Sequence, residues 1–278
     1  MSSINTNFAA IKARSNLEKV QRELDTSIAR LSSGKRITRA KDDAAGLAIA
    51  GRMESQIRGL NMNLRSAKDG QALVDTQEGA MAEISSILQR MRELAVQATS
   101  GTVNLNTSDK DYLQVENKAL LQEIVAIGVN TKFNDTQILA GAAFSFYTDI
   151  DVAGTAITTV TAAMTLAKLN MTTALVSIGG ARTVAGIAEV LTIVDKAIAR
   201  VDDKRANLGA LSNRFDHVID NLTNVVANTE GAKSRVEDAD FAVETTQLTR
   251  NTILQQAATS MVAQANSSKN AILALLQN

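Results

Sequence analysis

Apolar residues recur along this chain at steps of three and four, the spacing that places them on one face of an α-helix. In the first segment Leu17, Val20, Leu24, Ile28 and Leu31 form one narrow stripe. Such a stripe suits a coiled-coil seam better than the broad face of a globular helix. Ser32-Ser33-Gly34-Lys35 breaks it and reads as a loop. A second stripe starts near Asp42-Asp43, whose carboxylates suit a helix N-terminus. It runs through Met53, Ile57, Leu60, Leu64, Ala67, Val74, Met81, Ile84, Leu88, Met91, Ala95 and Ala98, with Gln71 and Glu78 as polar interruptions. At about 1.5 Å per residue this predicts a helix roughly 80 Å long.

A polar stretch, Ser100 to Thr107, ends that helix, and Ser108-x-x-Asp111 predicts a capping box for the next. The third helix carries Leu113, Leu120, Ile124 and Ile127, and Asn130 to Asp135 reads as a turn. The period then changes. Phe144, Phe146, Thr148, Ile150 and Val152 alternate as in a strand, Ala153-Gly154-Thr155 can turn, and Ile157 to Val160 reads as the partner strand. The stretch to about Gly186 is rich in Ala, Thr and Gly and reads as expendable. A third long stripe follows, from Ile187 through Leu191, Val194, Ile198, Val201, Leu208, Leu211, Phe215, Val218, Leu222 and Val225 to Val236, with Arg205 and Thr229 on the seam. The last segment has Leu254, Ala258, Met261, Ala265, Ile272 and Leu275. The expected fold is mainly α: long antiparallel helices in a coiled-coil-like bundle with a small β-hairpin element. The inner pair can cover each other, whereas the thin terminal stripes call for further neighbours.

Composition supports this reading. There is no Pro, no Cys and no Trp, and aromatics are 3%. Bulk must therefore come from aliphatic residues, Met and Ala, and no residue forces a helix to break. Lys+Arg and Asp+Glu are both 29, so no global field draws nucleic acid or anionic lipid. No apolar run approaches the roughly 20 residues that span a bilayer. The start, Met1-Ser2-Ser3-Ile4, has no basic stretch followed by an apolar one, so no secretory signal peptide is expected there.

Catalytic chemistry is sparse. His217 is the only histidine, which leaves no H-E-x-x-H zinc site, and neither a nucleophile elbow nor a P-loop is present. Asp42-Asp43 and Asp202-Asp203 are adjacent pairs whose side chains diverge by about 100° on a helix, so neither converges on one point. Lys35, Arg36, Arg39 and Lys41 form a local basic cluster without interleaved aromatics. It suits a subunit contact or a solvated loop better than a nucleic-acid site.

Several motifs resemble bacterial flagellin. At the N-terminal side these are Leu31-Ser32-Ser33-Gly34-Lys35-Arg36-Ile37, Ala40-Lys41-Asp42-Asp43-Ala44-Ala45-Gly46-Leu47-Ala48-Ile49 and Leu88-Gln89-Arg90-Met91-Arg92-Glu93-Leu94-Ala95-Val96-Gln97. At the other side they are Ser234 to Ala242, Ile253-Leu254-Gln255-Gln256-Ala257 and Ala263-Gln264-Ala265-Asn266 with an apolar end. The match covers roughly 1–140 and 187–278.

The resemblance implies a structural, non-enzymatic subunit that polymerises with itself into the extracellular flagellar filament for swimming. It implies no cofactor and no metal, and neither nucleic acid nor membrane as partner. Terminal segments 1–40 and 240–278 would pair as the filament core. Segments 41–140 and 187–239 would form the inner helical domain, and 141–186 a short variable insert. A hook–filament junction protein of the same architecture is the alternative. Export through the flagellum's own channel without a cleaved signal peptide is implied. The implied partners are the export apparatus, an export chaperone, the filament cap and the hook-junction proteins. So is recognition by the host Toll-like receptor for flagellin, at Arg90, Leu94 and Glu116. Helical geometry sets Leu94 about 40° from Ala98 and Arg90 another 40° out, so both are expected to flank the seam. Leu24, Ile28, Leu31, Leu254, Met261, Ile272, Leu275 and Leu276 are the expected subunit-packing residues.

Overall fold

The computed structural model describes residues 6–100, 107–141, 143–147, 156–160, 166–169, 171–172, 175–180 and 183–276. Helix α1 spans Phe8–Ser33. The Asn7 side chain caps its start by accepting from Ala10 N, and Gly34, at φ 71°, closes its end with an N–H bond to Arg30 O. That left-handed φ is one glycine adopts without strain. Helix α2, Ala44–Thr99, is 56 residues long, in line with the length expected. Asp43 Oδ1 accepts from Gly46 N at 2.8 Å, so this carboxylate caps the helix as its position suggested.

Helix α3, Thr107–Asn130, is followed by β1 (Lys132–Phe133) and β2 (Thr136–Gln137). The two-residue turn between these strands, Asn134-Asp135, has positive φ at both positions, which suits a tight hairpin. Strands β3 (Ala143–Tyr147) and β4 (Ala156–Val160) pair antiparallel, with Phe146 opposite Ile157. The expected turn at 153–155 and the alternating Thr148, Ile150 and Val152 lie outside the described residues. A short α4 (Leu166–Leu169) leads to α5 (Val184–Glu237) and α6 (Phe241–Leu276). Asp240 Oδ1 accepts from Ala242 N at 2.8 Å and caps α6. No described helix is long and apolar enough to cross a membrane.

The chain divides into two compact units. One comprises Met1–Ile57 with Ala227–Asn278, the other Arg58–Val226. In the first, α1 and α6 run antiparallel, as the paired residues show: Asn7 with Ala265, Gln21 with Gln255, Arg30 with Glu244. The α1–α2 and α5–α6 connectors also pair. Lys35 and Asp238 form an antiparallel bridge, Arg36 N donates to Glu237 O, and Ala239 N donates to Gly34 O. Lys35 ion-pairs with Glu237, and the Arg36 guanidinium donates to Val236 O. Half of the basic cluster is thus used inside the chain, while Arg39 and Lys41 are exposed.

In the second unit α2 and α5 run antiparallel. Gln71 meets Asp216, Glu78 meets Arg205, and Arg92 meets Asp195. Two polar interruptions of the long stripes, Glu78 and Arg205, therefore find each other. Both Arg205 Nε and Nη2 donate to Glu78 Oε1, at 2.9 and 2.7 Å. This raises the guanidinium pKa, through the hydrogen bond to Glu78 first and its charge second. Around the pair lies one apolar core. It takes Met81, Ile84, Leu88, Met91 and Ala95 from α2, Leu121 and Ile124 from α3, and Val190, Val194, Val201 and Phe215 from α5. Phe146 of β3 meets Phe215 edge to face, centroids 5.9 Å apart, over Gly70. A Cβ at Gly70 would come within 2.7 Å of the Phe215 ring, so glycine permits this contact.

The region expected to be expendable belongs to that core. Ile157, Leu169, Met171, Val176 and Ile178 are all buried in it. Side chains of α3 also hold the main chain of 176–180. Asn117 Nδ2 donates to Val176 O at 2.7 Å, while Gln114 Oε1 accepts from Ile178 N at 2.6 Å and from Gly179 N at 3.2 Å. Asp111 Oδ1 accepts from Gly180 N at 2.8 Å. The carboxylate expected to close a capping box with Ser108 thus serves a tertiary contact, and α3 begins at Thr107. These backbone contacts to 176–180 add to the buried side chains and leave no trace in side-chain periodicity.

Candidate functional site

Two surfaces carry the residues singled out from the sequence. The first joins α2 to α3. Arg90 Nε donates to Glu116 Oε1 at 2.9 Å, and Arg90 Nη1 donates to Glu93 Oε2 at 3.0 Å. The structure therefore brings together Arg90 and Glu116, 26 residues apart. The Arg90 side chain is 50% exposed and that of Glu116 43%. The hydrogen bond to Glu116, then that to Glu93, raises the Arg90 pKa, so the guanidinium is charged throughout the working range. The arrangement offers a fixed, solvent-facing cation with two carboxylates around it. It can hydrogen-bond a partner. Among the described residues no three His, Asp or Glu side chains converge as metal ligands. His217 is exposed on α5.

Leu94 does not join this surface. It is 1% exposed and packs in the core, whereas the sequence placed it beside the seam. The reason is the width of the buried face. Ile84 and Ser85, Leu88, Met91, Leu94 and Ala95, and Ala98 are all buried, which is the broad stripe of a bundle helix and not a two-position seam. The thin seam of α1 does not continue in α2. The adjacent pair Leu94-Ala95, both apolar beside Met91 and Ala98, was the available signal of a wider face.

The second surface is the outward side of the α1–α6 pair. Leu24 and Leu31 are half-buried in the pair, while Ile28 and Leu254 are exposed and Met261 is 63% exposed. The line of α6 turned toward α1 passes instead through Glu244, Leu248, Asn251, Gln255, Ala258, Val262 and Ala265. Leu254 and Met261, expected on the seam, stand to one side of that line. The seam between these helices is substantially polar. Gln255 Nε2 donates to Gln21 Oε1 at 2.6 Å, and Arg30 Nη1 donates to Glu244 Oε1 at 3.0 Å. Apolar side chains are correspondingly left outside, including Phe8, Ile11, Phe241, Val243 and Ile253. The side chains of Ile272, Leu275 and Leu276 lie outside the described residues.

Comparison with known proteins returns one family at both ends of the chain. Residues 4–143 match the bacterial flagellin N-terminal helical region, and residues 191–276 match the bacterial flagellin C-terminal helical region. Flagellin of Halalkalibacterium halodurans is 37% identical over 284 residues, covering 99% of each chain. Flagellin of Bacillus subtilis is 36% identical over 302 residues, again with 99% of each covered. Flagellin A of Vibrio cholerae is 34% identical with the same coverage. The crystal structure of Bacillus cereus flagellin aligns with 59% of this chain and 94% of its own, at 30% identity and a TM-score of 0.49.

Proposed function

The chain belongs to the bacterial flagellin family, and on that premise we propose which of its parts build the polymer and which face a receptor. It is a structural subunit that polymerises with itself into the extracellular flagellar filament. Nothing in the matches favours the hook–filament junction role. Segments 1–40 and 240–278 serve as the filament core, 41–140 with 187–239 as the surrounding helical shell, and 141–186 as the insert. The observation that carries this division is the outward apolar side of the terminal pair, with Ile28, Leu254 and Met261 exposed. Covering such a side chain contributes about 1.5–3 kcal/mol, repeated in every subunit of a polymer. Leu24 and Leu31 set the pairing that presents these residues, and Ile272, Leu275 and Leu276 are assigned to the same packing from the sequence. Export through the flagellum's own channel without a cleaved signal peptide, aided by an export chaperone, belongs to the same reading. So does contact with the filament cap and the hook-junction proteins. Purified subunit added to filament fragments should lengthen them into tubes under the electron microscope. Fragments that never lengthen, over a range of subunit concentration, would overturn the assignment of these surfaces.

Recognition by the Toll-like receptor for flagellin is placed on the Arg90–Glu116 pair, with Leu94 beneath it as packing support. The exposed, hydrogen-bonded guanidinium is what supports this reading. A central Arg in a protein interface commonly costs 1 kcal/mol or more on truncation. Arg90→Ala should therefore weaken receptor binding about tenfold with the inner unit's melting temperature little changed. Leu94→Ala should lower that melting temperature, because it opens a hole in the core. Wild-type binding by Arg90→Ala would remove the site.

A further inference from the structure

The α1–α6 pair holds a groove of about 810 Å³ whose charge is one-sided. Lys19, Arg22, Arg30 and Arg250 line it, and Glu23 is the one carboxylate among its lining residues. Arg30 is engaged with Glu244, although its Nε is buried without a partner. Lys19 stands 4.0 Å from Glu23. Arg22 and Arg250 have no side-chain hydrogen-bond or ion-pair partner among the described residues. Beside the groove, sharing Arg250, a second hollow of about 470 Å³ is lined by Thr246, Thr249, Ile253 and Leu254. A fitting occupant thus presents carboxylates next to aliphatic side chains.

The chain carries such an element on the neighbouring face of α1, next to the groove. Ile11, Glu18 and Asp25 are spaced by seven and lie on one line, with Ile28 at its edge. Glu18 and Asp25 are about 10 Å apart along the helix, and the line stands about 120° around α1 from Arg30 and about 50° from Arg22. All four of these residues are exposed. Among the described residues Glu18 is held by Arg14, at 3.2 Å, and Asp25 by Gln21, at 3.2 Å. Exposed pairs four residues apart on a helix hold little, so both carboxylates are available to a stronger cationic setting.

We propose that this groove receives the Glu18–Asp25 flank of α1 from a second copy of the chain. The contact joins different patches on the two copies, so it does not close on itself and propagates. Opposite charge sets the register, and Ile28, about one turn beyond Asp25, meets the Ile253–Leu254 hollow. The inference rests on the filament reading and adds the partner surface, its polarity and the residues that select it.

Charge reversal tests it. Arg22→Glu with Arg250→Glu reverses the groove, and Glu18→Lys with Asp25→Lys reverses the flank. Each variant alone should elongate its own seeds at least tenfold more slowly than wild type, with native helix content by circular dichroism. An equimolar mixture should recover growth. The reversed groove of one variant then accepts the reversed flank of the other, while the unreversed groove and flank still match. Wild-type growth by either variant alone, or a mixture as inactive as its components, would overturn the proposal. If a variant loses helix content, cross-linking decides instead. The chain has no cysteine, so Asp25→Cys subunits mixed with Arg250→Cys subunits in oxidised filaments should give disulfide-linked dimers of the two kinds. Absence of those dimers in intact filaments counts against the contact. Failure of the wild-type protein to elongate any seed would instead overturn the filament reading beneath it.

Discussion

The two compact units are built from the same helix-forming residues and bury opposite things. In Arg58–Val226 the core takes apolar side chains from α2, α3, α5 and the insert, and several of its members have no exposed surface at all. Among the described residues of the terminal unit the buried apolar ones are Ile37, Ala50 and Ile57, near the connectors and the start of α2. Along α1 itself the buried residue is Ser27, and facing it α6 buries Glu244 and Asn251. Meanwhile Phe8, Ile11, Ile253 and Met261 stay outside. Hydrophobic burial is the main favourable term in folding, so a pair that hides polar groups and displays apolar ones is stable only as part of something larger. The inner unit resembles a finished domain. The terminal unit is shaped for neighbours that supply the missing apolar contacts.

The largest effect should come from trimming the end that most needs neighbours. Removing 270–278 takes away Ile272, Leu275 and Leu276, each worth about 1.5–3 kcal/mol when covered. Seeded elongation should stop, while the inner unit melts at its wild-type temperature by calorimetry. Normal filaments from the shortened chain would mean that the terminal pair is complete without its last turns, and the contrast between the units would weaken.

A smaller but still substantial effect should appear on the other side of the comparison. Met171 has no exposed surface in the inner core although it lies in the region that reads as expendable. Met171→Ala should cost about 2–5 kcal/mol, the range for a large-to-small change in a packed core. For a unit of this size that lowers the melting temperature by roughly 5–15 °C. Deleting 155–180 should then unfold the inner unit outright. An unchanged melting transition in Met171→Ala would return the insert to the periphery.

How much of this could be read beforehand depends on the element. The two long stripes gave α2 and α5 nearly to their ends, because a period sustained over more than ten turns has no competing explanation, while the short first stripe marked the C-terminal part of α1. Asp43 as a cap was legible, since a carboxylate before a long stripe has one obvious use. Even the seam interruptions Gln71, Glu78 and Arg205 were visible, though not that Glu78 and Arg205 answer each other. That pairing depends on the register of two helices more than a hundred residues apart. The insert is hard to read because Ala, Thr and Gly carry little pattern. Its burial is enforced by Gln114 and Asn117 gripping its backbone, and backbone contacts leave no trace in side-chain periodicity. Leu94 was misread for the converse reason. Its apolar character was plain, but the number of neighbours around α2 fixes how wide a face is buried, and no single stripe reports that. The Arg90–Glu116 pair depended on resemblance, as neither residue stands out among 29 basic and 29 acidic side chains.

The smallest effect expected concerns acid and separates the units by what holds them. In the connector before α2, Asp42 Oδ2 accepts from Thr38 Oγ1 at 3.0 Å, Arg39 N at 3.0 Å and Thr38 N at 3.2 Å. These bonds favour the charged form. The hydroxyl of Thr38 contributes most, the backbone of Arg39 and Thr38 and the charge of Lys41 add to it, and desolvation opposes them. The Asp42 pKa is accordingly below its ordinary value of 3.8. A depressed carboxyl pKa stabilises the fold above the unfolded-state value, and that contribution disappears as pH falls through the folded-state value. From about pH 4 downward, amide hydrogen-exchange protection at Thr38 and Arg39 should therefore decline. Protection at Leu88 and Val194, where apolar packing dominates, should stay level over the same range. Asp42→Asn keeps an acceptor but binds no proton there, so its Thr38 and Arg39 amides should lack this acid-dependent step. If the wild-type step survives in Asp42→Asn, another carboxylate governs the connector. If Leu88 and Val194 lose protection together with Thr38, the two units open as one and do not differ in what acid can reach.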